Sequence, residues 1–209
     1  MAPVSVVEHL VLFKVRESTD PLKIDAMVGR LRSLASLDLV SHLTAGPILR
    51  RFSTDFTHLL HARYLSKPDL AAYAVHPSHI AVVKANSAIC DDIMAVDWVA
   101  DLDVPIVPLP GSAMRFVLAK PREGIAAGEV IKRIEEIRAS FAAAQVTYGE
   151  NFSPARGKGY EVGFVLVLSG LGKLDEGEGK EGMEALMEKI TPLVESTIVV
   201  DYEVPSSAL

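Results

Sequence analysis

Apolar positions change their period along the chain in an order that recurs. From Val6 to Val15 the residues are rich in β-branched side chains and partly alternate, which predicts a strand. Thr19-Asp20-Pro21 supplies a helix start with proline in the first turn, and Ile24, Met27, Val28, Leu31 and Leu34 follow at helical spacing. Leu39–Leu49 predicts a second strand with a bulge at Gly46-Pro47, and Phe56–Leu65 a third, after a turn at Ser53-Thr54-Asp55. Lys67-Pro68-Asp69 opens a short helix. His76-Pro77 opens a longer one reaching about Asp92, with Ile80, Val83 and Cys90 on its buried side. Met94–Val99 closes as a strand, so the order is β-α-β-β-α-β.

The same order then returns. Ala113–Lys120 predicts a strand, and Val130, Ile134, Ile137 and Phe141 mark a helix. Strands follow at Gln145–Phe152 and Tyr160–Leu168. The Gly-rich acidic stretch Gly170–Gly182 is expected to be a mobile connector before a helix carrying Met183, Leu186, Met187, Ile190 and Val194, and Thr197–Val204 is the last strand. Residues coincide as well as periods. His9-Leu-Val-Leu-Phe-Lys-Val-Arg-Glu17 matches Arg115-Phe-Val-Leu-Ala-Lys-Pro-Arg-Glu123, Thr44-Ala-Gly46 matches Thr147-Tyr-Gly149, and Ala95-Val-Asp97-Trp98 matches Val199-Val-Asp201-Tyr202. Three blocks in one order indicate a tandem duplication. Residues 5–100 form the first domain, the Pro-rich segment 101–112 (Pro105, Pro108, Pro110) an extended linker, and residues 113–205 the second domain. A four-stranded sheet with both helices on one face leaves the other face bare. Two units pairing sheet to sheet cover it, so the expected fold is α+β, with tandem units forming an α/β barrel within one chain.

Composition adds bounds. The chain has 209 residues, 49% hydrophobic and 23% charged, an ordinary globular balance. A net charge of −6 repels phosphate backbones, so nucleic acid is not expected as a partner. No run of 18 apolar residues occurs, so no membrane span is expected. The N-terminus has no secretory pattern and Cys90 is the lone cysteine, which favours a cytoplasmic protein. The ending Ser207-Ala208-Leu209 is a degenerate peroxisomal tripeptide and makes the peroxisome the alternative. All six histidines precede residue 80, so candidate chemistry concentrates in the first half.

The residues Val7-Glu-His9-Leu-Val-Leu-Phe-Lys14, Phe56-Thr57-His58, Tyr73-Ala-Val-His76-Pro77-Ser-His79 and Val96-Asp97-Trp98 resemble the stress-response dimeric α/β-barrel (Dabb) family. The whole chain is similar to plant proteins with two such domains in tandem, the second here diverged and free of the histidines. The resemblance implies ferredoxin-like units, a role in stress or plant defence that includes antifungal activity in some members, and no established catalysis in most. It also includes a polyketide cyclase. By that likeness His79 would be the general base and Tyr73 its hydrogen-bonding partner, with His9 and His58 lining an apolar pocket inside the barrel. The reaction would be a cofactor-free aldol closure, because a near-neutral imidazole suits proton removal. The reading favours a non-enzymatic protein, with a small apolar ligand or cyclase-like chemistry as the alternative, and a homodimer of the whole chain in addition to the intrachain pairing.

No cofactor is required on this reading. Some plant members hold a structural magnesium ion through backbone carbonyls after the first helix, and the matching carbonyls are those of Leu34, Leu37 and Val40. Haem is not expected, since the family's haem proteins use a histidine of the second unit. Cys90 is expected to be a small buried hydrophobe, and His42 and His61 to be solvent-side strand residues.

Overall fold

The computed structural model describes residues 4–102, 107–141 and 144–205. Pro105 of the linker and the Ser207-Ala208-Leu209 tripeptide lie outside them.

Strand β1 (Val4–Val15) leads to helix α1 (Pro21–Ser33), whose first turn is capped by the Asp20 carboxylate accepting the Leu22 N–H at 2.8 Å. A 3-10 turn at Leu34–Ser36 leads to β2 (His42–Pro47), β3 (Arg50–Phe52) and β4 (His58–Tyr64). Helix α2 (Lys67–Ala74) is capped by Ser66, and α3 (Pro77–Ser87) by the His76 ring, which accepts the Ser78 N–H at 3.2 Å. Strand β5 (Cys90–Leu102) completes the unit. The second unit runs β6 (Ala113–Pro121), α4 (Ala127–Ile137), β7 (Gln145–Glu150), β8 (Val162–Leu168), α5 (Gly177–Ile190) and β9 (Val194–Glu203).

Three boundaries differ from expectation, the simplest being Val194, which begins β9 and does not continue the last helix. Helix α3 stops at Ser87, and Cys90 begins β5 because the long β1 pairs down to Val15↔Cys90. The helix therefore buries Val82 and Asn86, while Ile80 and Val83 are exposed and Cys90 is half-buried on the strand. Half of the expected mobile connector is α5. Its Gly182 faces Phe141, where a Cβ would come within 2.4 Å of the ring, so this glycine permits close packing and not mobility.

The strands form two antiparallel sheets of order β2-β4-β1-β5 and β3-β9-β6-β8-β7. They pack face to face over Leu10, Leu12, Leu59, Trp98, Phe116, Val165 and Tyr202, with helices on the outer faces. The two ladders stay separate, so the expected barrel is not closed by hydrogen bonds. Each sheet is covered on both sides, which explains the nearly continuous apolar runs of its central strands.

The units exchange segments reciprocally. The first unit's β3 joins the second unit's sheet, and the Leu49 N–H donates to the Asp201 carbonyl at 2.9 Å. In return the Phe152 N–H donates to the Asp97 carbonyl at 2.9 Å. Side chains repeat the exchange. The Trp98 indole N–H donates to the Thr147 hydroxyl at 3.4 Å, and Tyr202 shares a 2.7 Å hydrogen bond with Thr44.

Candidate functional site

Side chains alternate across a strand, and β1 sends Val7, His9, Val11 and Phe13 toward the helices and Glu8, Leu10 and Leu12 between the sheets. On β4, Leu60, Ala62 and Tyr64 join the helix side, whereas Leu59, His61 and Arg63 point inward. His9 thus faces the helices and not the barrel interior where the sequence reading put it.

A cavity of about 250 Å³ lies between the first sheet and α1, α2 and α3. Its walls are apolar, with Leu31, Leu34, Leu60, Val82 and Ile93 among them, and His9, Tyr73 and His79 come together on it. The Tyr73 ring centre is 4.4 Å from that of His79 and 6.2 Å from that of His9. His58 is not among the lining residues. It begins β4, where its Nδ1 shares a 2.9 Å hydrogen bond with the Thr57 hydroxyl.

Behind His9 stands the fully buried Asp97. The His9 Nδ1–H donates to one carboxylate oxygen at 2.5 Å, and the other accepts from Arg156 of the second unit at 2.5 Å. Burial pushes the Asp97 carboxyl up, but His9 and Arg156 outweigh it and hold it below the ordinary value. Because a carbonyl only accepts, the 3.0 Å contact between His79 Nδ1 and the Ala74 carbonyl places the proton on Nδ1 and the lone pair on Nε2. Burial pushes the His79 pKa down, which keeps the ring neutral near pH 7, and pushes the Tyr73 phenol up to about 12. A neutral imidazole with a free lone pair beside a protonated phenol can accept a hydrogen bond or take a proton from a molecule in the cavity.

The second unit carries a different group at this place. By strand register Arg115 stands opposite Asp201 as His9 stands opposite Asp97. Arg115 grips Asp201 through two bonds of 2.6 and 2.7 Å, and Arg50 of the first unit approaches the same carboxylate at 3.4 Å. The groove beside it, about 500 Å³ and more open, is lined by Phe52, Leu174, Lys180, Met183 and Met187, with no imidazole.

Sequence reasoning missed a polar cluster between the sheets. His61 and His42, expected at the solvent side, are both buried. The His61 Nε2–H donates to Glu8 at 2.6 Å, Arg63 Nε donates to both Glu8 oxygens at 3.0 Å, and the Thr147 hydroxyl adds a bond of 2.8 Å. Burial pushes the Glu8 carboxyl up, yet Arg63 and His61 more than offset this and hold it at about 2. Burial, aided by His61 and Arg63, pushes His42 down to about 3. The signal in the sequence was partial: the two-residue spacing of His61 and Arg63 puts both on one face of β4.

For magnesium, the three matching groups after α1 are backbone carbonyls, which are neutral oxygens. The Leu34 carbonyl accepts the Leu37 N–H at 3.2 Å and the Leu37 carbonyl accepts the Val40 N–H at 2.9 Å, each keeping a second lone pair. Such donors fit a hard, largely hydrated cation. Among the described residues no group of three or more His, Cys, Asp or Glu could hold a metal.

This architecture defines a duplicated ferredoxin-like α+β protein with an imidazole-lined cavity in its first unit. The stress responsive A/B barrel domain family matches residues 7–100 and 114–204, and the chain belongs to that family. Two stress-response A/B barrel domain-containing proteins of Arabidopsis thaliana are similar along nearly the whole chain. One is 43% identical over 97% of this chain and 80% of its own length, and the other is 41% identical over 98% and 99%. Among solved structures, protein FN1347 of Fusobacterium nucleatum shares the fold at 10% identity, covering 98% of this chain and 94% of that one with a TM-score of 0.65. Structures that align with 44% or 45% of the chain, at TM-scores of 0.39–0.41, include proteins described as dimeric. Among the described residues no helix is long and apolar enough to cross a membrane.

Proposed function

We infer that the chain is a stress-response protein whose first unit holds a small, largely apolar molecule, without covalent chemistry, in the cavity beside His9, Tyr73 and His79. The observation carrying this reading is the cavity itself, apolar on its walls and polar where three rings converge. Butylbenzene titrated into the protein should shift the methyl NMR signals of Leu31, Val82 and Ile93. Ala95→Phe, which fills the cavity, should abolish those shifts. A wild-type spectrum unmoved by the ligand overturns the reading. Ligand capture of this kind suits a defence role, and growth inhibition of a fungus by the wild type but not by Ala95→Phe would tie the two together.

A second reading is proton abstraction of the cyclase type, favoured by the fixed tautomer of His79. It predicts turnover of a poly-β-ketone that His79→Ala and Tyr73→Phe abolish while ligand binding persists. A magnesium ion on the carbonyls of Leu34, Leu37 and Val40 would be structural, bracing the end of α1 beside the cavity wall. It predicts a melting temperature raised by magnesium and restored by chelator. Pairing of whole chains predicts a homodimer by light scattering, and a strict monomer removes it.

A further inference from the structure

One residue on the cavity wall has hydrogen-bonding capacity that the protein leaves unused. Asn86 lies on the buried side of α3 and is 1% exposed. Its Oδ1 accepts the Arg30 Nε–H at 2.9 Å. Arginine only donates, so this contact fixes which end of the amide is oxygen and leaves the NH₂ group on the other side. That NH₂ is buried and has no acceptor. An unmet buried donor is destabilising, and the fold does not demand one here. The matching helix of the second unit, α5, buries only Gly179, Gly182, Met183, Leu186 and Ile190.

Asn86 also stands apart from the three rings. His79 and Asn86 both line the cavity from α3, and at 1.5 Å per residue they lie about 10 Å apart along its axis. The cavity is therefore a slot lined along α3 by His79, Val82, Val83 and Asn86, with the Tyr73 ring beside His79.

We propose that Asn86 is a specificity-determining residue: its NH₂ group donates to a carbonyl-type oxygen of an otherwise apolar ligand that spans the slot. The inference rests on the ligand-binding reading above and adds the chemical class, an apolar molecule with an acceptor oxygen near one end. A hydrocarbon of the same shape leaves the amide unmet and binds more weakly.

The test compares butyrophenone with butylbenzene, which share a skeleton and differ by the carbonyl, using calorimetry and the side-chain amide NMR signal of Asn86. The wild type should prefer butyrophenone by about tenfold, the worth of one hydrogen bond to a buried donor, and the Asn86 amide signal should move only with the ketone. Asn86→Asp keeps an acceptor for Arg30 but removes the donor, and should bring the ratio of the two affinities to about one. Asn86→Leu should do the same should the aspartate variant fold poorly. Equal affinity for both ligands in the wild type, or a preference that survives in both variants, overturns the inference and leaves the cavity reading standing. Binding of neither ligand overturns both.

Discussion

Strand register aligns the two units residue by residue and so isolates what differs between them. Asp97 and Asp201 occupy one position, and each is reached by an arginine from the other unit, Arg156 and Arg50. Opposite them stand His9 in one unit and Arg115 in the other. Between the sheets the same register pairs Glu8 with Met114, His61 with Val165 and Arg63 with Val167. The backbone exchange is common to both halves, while the polar side chains at these matched positions have diverged. The frame therefore does not depend on which residues fill it, and the cavity chemistry of the first unit is an addition to a structure that stands without it.

The largest effect should come from copying the second unit into the first. Glu8→Met takes the carboxylate away from the buried Arg63 guanidinium and from His61, and should cost about 3–5 kcal/mol in urea unfolding. Adding His61→Val and Arg63→Val completes the copy and should recover the loss, because well-packed apolar groups replace a buried ion pair at little or no cost. A triple variant as unstable as Glu8→Met would mean the two halves are not interchangeable.

Next come the paired aspartates. Asp201→Ala removes both short carboxylate bonds of the buried Arg115, leaving it the Leu174 carbonyl at 3.3 Å and Asp175 at 3.7 Å, and should cost about 3 kcal/mol. Asp97→Ala should cost less, about 1–3 kcal/mol, because the half-exposed Arg156 can turn to solvent. Equal losses would erase the distinction. His9→Arg puts a guanidinium against the apolar cavity wall, and overpacking should cost about 1–3 kcal/mol and block butylbenzene binding.

The smallest effect near neutrality is the pH dependence. Glu8 sits at about 2 in the fold against an ordinary 4.5, so its contribution is complete above about 4.5 and is lost as pH falls toward 2. His42, at about 3 against 6.5, takes up its proton more readily when unfolded, so stability begins to fall below pH 6.5. Melting temperature followed against pH should show both declines. The triple variant should lack the lower one.

The order of elements and the duplication were legible in the sequence because the helix starts at Asp20-Pro21, Lys67-Pro68 and His76-Pro77 and the repeated Thr-x-Gly and Asp-aromatic blocks are local signals. The convergence of Tyr73 and His79 was legible through resemblance to relatives. The facing of His9 was not. With both faces of the sheet buried, hydropathy gives β1 no inside or outside, and only the second unit's position tells Glu8 from His9. Arg156 and β3 were invisible for a related reason: each completes a structure on the opposite half, far away in sequence. Asn86 could not be read as a donor without an acceptor until Arg30 fixed its amide.

The cluster at Glu8 has a consequence for how such a molecule can arise. In a symmetric dimer of single units, every residue at the sheet–sheet contact appears twice, so an acid placed there meets its own copy and two arginines crowd the same centre. Joining two units in one polypeptide lifts that constraint. Each side of the contact can then change alone, and an arrangement with charge on one wall and methionine and valine on the other becomes attainable. The linker between the halves is thus more than a tether, because it allowed the two faces of one interface to become different surfaces.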